Sequence, residues 1–366
     1  MIPKGPFMSA ENYISYFRPD IDAMEGYAPG EQLNVPELIK LNTNENPFPP
    51  CPGVFQTLAS VDPARLRLYP NPTSDPVRDE IAKMFGLTRD HVIACNGSDD
   101  TLSITVRCFS SAKLPIACLR PSYTLYPTLA ELHGAPVKYI DLTDDFGLPD
   151  DILSQLEGTN LFLIARPNAP TGNNFPRELM ETICANYKGM VLIDEAYADF
   201  AADNCADFVT RFPNVIVSRT FSKSRSLAGL RFGFALAHPR TIAGMMKMKD
   251  SYNVSYLTQT LAIAALRDKQ YFEECVEKIR LAREMLLTGL LELGFEVVPS
   301  ETNFLFASPP DRDGERCFRE LRARNILVRY FPYPRTKRFV RISVGTSVQI
   351  VKVWAVLSKI YGNSKP

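Results

Sequence analysis

The feature that most constrains this chain is a rhythm of short apolar runs separated by amphipathic stretches. Leu161-Phe162-Leu163-Ile164 and Val191-Leu192-Ile193 contain no polar residue. A strand with one wet face alternates apolar with polar side chains, so uninterrupted runs predict strands covered on both faces. The reading is strand 91–95, helix from about 98, strand 115–119, helix 124–133, strand 136–141, strand 161–165 and helix 176–187. Strands 190–194, 214–219 and 232–237 follow. Ahead of them, Ser74-Asp75-Pro76 reads as a helix cap with Pro in the first turn, and Gly86 as that helix's end. Alternation at this spacing implies an α/β domain, a mostly parallel sheet with helices on both faces.

After about residue 240 the rhythm changes. Residues 268–293 read as one long helix ending at Gly294, followed by strands at 295–298, 303–307, 326–330 and 339–343 and helices at 314–324 and 348–360. This is a smaller α+β domain. Residues 1–45, irregular and dotted with Pro and Gly, read as an arm lying on something else. The expected division is therefore an N-terminal arm (1–45), a large domain (46–258) and a small C-terminal domain (259–366). The cluster Met245, Met246 and Met248 reads as helix packing.

Composition removes whole classes of function. The 366 residues carry 41 Lys+Arg against 41 Asp+Glu, which argues against a non-specific nucleic-acid or membrane-surface binder. At 45% hydrophobic residues the chain can bury a large core, and disorder is excluded. No apolar run approaches the roughly 18 residues of a spanning helix. The opening residues Met1 to Pro6 show no signal core, so the cytoplasm is the expected compartment. Eight cysteines at irregular spacings read as buried apolar residues or free thiols, and three scattered histidines make a zinc cluster improbable.

Ligands of parallel α/β sheets sit beyond the carboxyl ends of the strands, so the loops leaving each strand are where chemistry belongs. Asn96-Gly97-Ser98-Asp99-Asp100 follows the first strand and opens a helix, where backbone N–H groups can face an anion. Arg166-Pro167-Asn168-Ala169-Pro170-Thr171-Gly172 holds an amide between two prolines. Asp194 closes an apolar strand, where a lone carboxylate needs a cation or hydrogen-bond donors to offset its desolvation. Thr220-Phe221-Ser222-Lys223 ends another strand, with Arg231 eight residues beyond the lysine. Taken singly, these have plain structural readings: an Asn-Gly turn with a Ser cap, a rigid turn, a surface lysine. No G-x-G-x-x-G or P-loop pattern supports a dinucleotide or nucleoside triphosphate.

Together the loops describe one ligand. It has an aldehyde for Lys223, a protonated ring nitrogen for Asp194, and a phenolic oxygen for Asn168 and Tyr197. It also has a phosphate for Ser98, Thr220, Ser222 and Arg231. Pyridoxal 5′-phosphate (PLP) has those groups.

From about Tyr27 to Thr346 the chain resembles fold-type I PLP aminotransferases, and within them the histidinol-phosphate aminotransferases. The strongest block is Ser222-Lys223 through Leu227-Ala228-Gly229-Leu230-Arg231-Phe232-Gly233. Leu41-Asn42-Thr43-Asn44-Glu45-Asn46-Pro47, Tyr69-Pro70-Asn71-Pro72, Asn96-Gly97-Ser98-Asp99 and Arg341-Ile342-Ser343-Val344-Gly345-Thr346 follow the family's order. Ser224-Arg225-Ser226 departs from it, since relatives usually carry Ala, an aromatic and Gly there. The departure is expected to alter local packing and to leave the cofactor contacts in place.

The resemblance implies roles. Lys223 would bind the cofactor aldehyde and move the substrate proton, Asp194 would keep the ring nitrogen protonated, and Asn168 and Tyr197 would bond the ring oxygen. Tyr123 would stack on the ring, and Gly97, Ser98, Asp99, Thr220, Ser222 and Arg231 would cradle the phosphate. Tyr69 would reach the neighbouring subunit's cofactor, implying a homodimer with shared sites. Tyr27, Asn168, Arg329 and Arg341 would meet the substrate. The implied reaction is PLP-dependent transamination of L-histidinol phosphate with 2-oxoglutarate, giving imidazole acetol phosphate and glutamate. Rival readings are an aromatic or general amino-acid aminotransferase and a PLP decarboxylase of a phosphorylated amino acid. A PLP-binding regulatory module would need a DNA-binding head, for which residues 1–45 are too short and Pro-rich.

Overall fold

A computed structural model describes residues 16–24, 26, 30–33 and 35–362. A short strand β1 (Ile39–Lys40) precedes the main sheet. That sheet comprises β2 (Val92–Cys95), β3 (Ile116–Arg120), β4 (Val137–Asp141), β5 (Leu161–Ala165), β6 (Met190–Asp194), β7 (Val215–Thr220) and β8 (Gly233–Ala237). Its order is β2-β8-β7-β6-β5-β3-β4, and β8 alone runs against the others. Every residue of β5 is buried, as the unbroken apolar run requires. One apolar cluster fills each face: Phe162, Ile164, Val191 and Ile193 point to one side, and Leu161, Leu163 and Leu192 to the other.

The second packing group is a four-stranded antiparallel sheet. Its strands are β9 (Glu296–Val298), β10 (Phe304–Ser308), β12 (Arg329–Tyr330) and β13 (Val340–Ser343), in the order β12-β13-β10-β9. Between β10 and β12, β11 (Ile326–Leu327) pairs in parallel with β1. The expected strand 326–330 is thus two strands, because the chain changes partner at the buried Val328. Leu41, in the expected arm, joins this core, and its backbone bonds both Leu327 and Ser343.

The long helix Lys269–Glu292 is capped by Asp268, which accepts from the Tyr271 N–H at 3.2 Å. A helix that the sequence analysis does not predict, Tyr256–Arg267, precedes it, capped by Ser255. Its Leu261, Ala262 and Ala265 pack into the large core, so residue 259, the expected start of the small domain, falls inside it. Helix Asp75–Met84 starts where expected, but Ser74 sits at φ 56° and makes no side-chain cap bond. Asn71 takes that role, its Oδ1 accepting from the N–H groups of Thr73 and Asp75. Met245 is fully buried, while Met248 is exposed. No described helix is long and apolar enough to cross a membrane.

Candidate active site

The loops after β2, β3, β5, β6 and β7 meet at the carboxyl edge of the main sheet. A cleft of about 380 Å³ opens there, closed from the opposite side by Asn42–Glu45 and by Arg329, Phe331 and Arg341. Parallel strands carry their carboxyl ends to one edge, which is why loops spread over more than a hundred residues share one cavity.

Lys223 lies in the loop after β7, and its Nζ donates to the Thr43 carbonyl at 2.9 Å. Burial first, and then the Arg341 charge, pushes its pKa down to about 8. Roughly a tenth of such a lysine is neutral at pH 7, against fewer than about one in a thousand of an ordinary one. That is the electronic requirement for a nucleophilic amine.

Asp194, at the end of β6, is 4% exposed. Burial pushes its pKa up to about 6, opposed by the Tyr126 O–H donating to Oδ2 at 3.0 Å and the Ala196 N–H at 3.2 Å. A cation in the cleft would favour its charged form further. Tyr126 had no place in the sequence reading. It lies in the first turn of helix Leu125–Leu132, its ring edge to face with that of Tyr123 at 5.5 Å, a contact that the sequence does not display.

Behind Asp194 and Lys223 lies a buried ion-pair network. Arg219 on β7 donates to Glu195 at 2.7–2.8 Å and to Asp199 at 2.7 Å. Ser224 donates to the second oxygen of Asp199 at 2.5 Å. Arg225 packs against the rings of Phe221 and Phe272 and donates to the Ala265 carbonyl at 2.7 Å. Two residues of the departing triplet therefore tie the lysine loop to its surroundings and point away from the cleft.

At the far end, helix Ser98–Phe109 opens toward the cleft with Gly97 at its N-cap. A Cβ on Gly97, whose φ is +85°, would lie 2.5 Å from the Arg231 guanidinium; one on Gly233 would lie 2.5 Å from the Ser98 nitrogen. Both glycines let the cation and the helix N-terminus converge. Thr220 Oγ1 donates to Ser222 Oγ at 3.0 Å, Arg231 reaches Ser222 Oγ at 3.4 Å, and Asp99 pairs with Arg231 at 3.3 Å. Hydroxyls, a guanidinium and backbone N–H groups in one corner form an anion cradle.

Tyr197 is buried against Phe304, edge to face at 5.1 Å, with its hydroxyl accepting from Asn44 Nδ2 at 2.9 Å. Burial raises its pKa, so it remains a proton donor. Tyr123 lines the cleft and donates to Asp99 at 3.4 Å. Arg329 and Arg341 stand directly opposite each other on β12 and β13, both over the Phe331 ring. Arg341 Nη2 also donates to the Asn42 carbonyl at 3.0 Å, and the two guanidiniums together present charge-assisted donors to an anion in the cleft.

Asn168 is fully buried and its amide bonds Ser122, Thr171 and the Pro121 carbonyl, behind the residues that line the cleft. Tyr69 stands outside it, 80% exposed and stacked on Tyr252 at 4.4 Å. Tyr27 lies outside the described residues.

The sequence pattern of aminotransferase class I and II matches residues 36–357. This chain belongs to the class I and II aminotransferases. The histidinol-phosphate aminotransferase of Microcystis aeruginosa is 45% identical over 338 residues, 92% of this chain and 96% of that one. That of Syntrophotalea carbinolica is 44% identical over 344 residues, covering 94% and 99%. Among solved structures, histidinol-phosphate aminotransferase from Sinorhizobium meliloti in complex with pyridoxal-5′-phosphate shares the fold, with a TM-score of 0.86 at 24% identity over 97% of this chain and 100% of that one. A putative aminotransferase from Burkholderia pseudomallei superposes with a TM-score of 0.79 at 28% identity, covering 90% and 100%.

The donor set of this aminotransferase fits PLP. The Arg231 guanidinium and the helix N-terminus at Ser98 can approach each other to cradle a phosphate only because Gly97 and Gly233 carry no Cβ. The buried carboxylate of Asp194 and the amine of Lys223 line the same cleft.

Proposed function

We propose that this aminotransferase moves the amino group of L-histidinol phosphate to 2-oxoglutarate, giving imidazole acetol phosphate and glutamate. The observation that carries the substrate claim is the cross-strand pair Arg329 and Arg341, facing the cleft that holds Lys223. Two guanidiniums take a phosphate in one half-reaction and a carboxylate in the other. The names of the relatives at 44–45% identity support the same substrate.

Bound PLP supplies the electron sink that makes the substrate Cα–H acidic. The chain's residues do the rest. Lys223 would hold the cofactor through its aldehyde and would carry the substrate proton away from Cα. Asp194 holds the proton on the ring nitrogen, and Tyr197 donates to the ring oxygen, with Asn168 fixing the loop beside it. Tyr123 covers the ring face. The Ser98 and Asp99 N–H groups, freed by the turn at Gly97, hold the phosphate with Thr220, Ser222 and Arg231.

The working form is a homodimer with shared sites, in which Tyr69 reaches the neighbouring subunit's phosphate. Its 80% exposure, with Leu66 and Leu68 exposed just before it in the chain, supports a covered face there. The proposed compartment is the cytoplasm, in keeping with eight free cysteines.

The deciding experiment incubates PLP-loaded protein with histidinol phosphate and 2-oxoglutarate and measures glutamate, and in parallel supplies a phosphorylated α-amino acid and measures carbon dioxide. Glutamate without carbon dioxide is expected. Good turnover of unphosphorylated amines with none of histidinol phosphate would sink the substrate claim.

A further inference from the structure

We infer that Asn44 is a positioning residue that sets the direction of the Tyr197 hydroxyl proton, and that Ser343 sets Asn44 in turn. The inference rests on the reading of Tyr197 as the residue facing the cofactor's ring oxygen.

Asn44 is 1% exposed and adopts φ +55°, a left-handed conformation that Asn tolerates better than most residues. Strain of this kind persists where surroundings over-determine it. Here they do so at both ends of the residue. The Asn44 N–H donates to Ser343 Oγ at 2.9 Å, and its carbonyl accepts from Asn303 Nδ2 at 2.9 Å. Its side chain is held as firmly. Ser343 Oγ donates to Asn44 Oδ1 at 2.9 Å, and Asn44 Nδ2 donates to the Tyr197 oxygen at 2.9 Å. The reverse amide would aim two donors at Ser343 Oγ and leave that hydroxyl's own proton without this acceptor.

Every proton in the chain therefore points the same way: Ser343 to Asn44, Asn44 to Tyr197. With one lone pair of its oxygen engaged by an amide donor, Tyr197 turns its own proton toward the cleft. Phe304 fixes the ring and Asn44 fixes the polarity of the hydroxyl. The relay begins on β13, so the small sheet orients a donor at the edge of the large one. Asn303 anchors the middle of it.

A hydrogen bond donated to a phenolic oxygen stabilises its anionic form and so lowers the pH at which the bound chromophore gives up its proton. The charged groups facing the same space are Lys223, Asp194, Asp99, Glu45, Arg231, Arg329 and Arg341. They act on the chromophore in every variant, so the test compares backgrounds.

The test titrates the visible absorbance of PLP-loaded protein against pH in wild type, Tyr197→Phe, Asn44→Asp and the double variant. Tyr197→Phe should raise the midpoint. Asn44→Asp adds a charge and a hydrogen-bond acceptor that takes the Tyr197 proton away from the cleft. In the Tyr197→Phe background only the charge acts. The expected result is an upward shift larger by about one pH unit in the wild-type background, the size of one hydrogen bond to a charged group. Ser343→Ala should give a smaller upward shift that vanishes in Tyr197→Phe, and it decides by the same comparison should Asn44→Asp not fold. Equal shifts in both backgrounds would overturn the relay. An unchanged midpoint in Tyr197→Phe would instead overturn the reading of Tyr197 itself.

Discussion

Single residues in this site are placed where their ordinary chemistry is unfavourable, and that displacement is measurable without substrate. Lys223 titrates at about 8 in the folded protein and at about 10.5 when unfolded. Between those values the unfolded chain binds the extra proton, so stability from this position rises with pH. Below pH 8 the folded protein must carry a buried ammonium at full cost. Lys223→Met should therefore raise the melting temperature of cofactor-free protein at pH 7 and change it little at pH 10.5. A melting temperature unchanged or lowered at pH 7 would contradict the placement of the amine. Lys223→Ala should abolish the visible band of the lysine-linked cofactor and lower kcat by about 10³-fold or more. Asp194 raises the matching question of a partner. The sequence showed that a carboxylate at the end of an apolar strand needs one, but not that Tyr126, 68 residues away, supplies it.

At the scale of elements, β6 and β7 are joined at their functional ends by Glu195, Arg219 and Asp199. Arg219→Leu would leave Glu195 buried and unpaired, a loss of about 3–5 kcal/mol measurable by denaturant unfolding. Adding Glu195→Leu should recover much of that loss, because the orphaned charge goes too. On the opposite wall, β12 and β13 present Arg329 and Arg341 as a cross-strand pair. Arg329→Gln should raise the KM for a phosphorylated donor about 10- to 100-fold, the value of a charge-assisted contact, with a smaller change in kcat. An unphosphorylated donor should lose far less. The sequence puts the two arginines on consecutive strands, 326–330 and 339–343, but does not show their register. Only the switch of partner at Val328 sets Arg329 opposite Arg341.

For the whole molecule, the exposed apolar face around Tyr69 and Tyr252 leads to a prediction about assembly. If Tyr69 completes the neighbouring site, Lys223→Ala and Tyr69→Ala subunits should complement when dissociated together and reassembled. Half of the random dimers are mixed and each holds one intact site, so about a quarter of wild-type activity should return. No recovery from two separately folded, dimeric variants would place Tyr69 outside the partner's site. The sequence by itself determined the layered α/β architecture, because unbroken apolar runs such as Leu161–Ile164 can be buried only between two layers of helices. It also determined which loops carry chemistry, because parallel strands deliver their carboxyl ends to one edge. What it left open is every contact that depends on two distant segments meeting. Asn44 and Tyr197 lie 153 positions apart, and Asn44 and Ser343 lie 299 apart. Hydrogen-bond direction and the burial that moves a pKa are properties of such meetings. The chain lists the donors and acceptors, and only the tertiary structure decides which of them face each other.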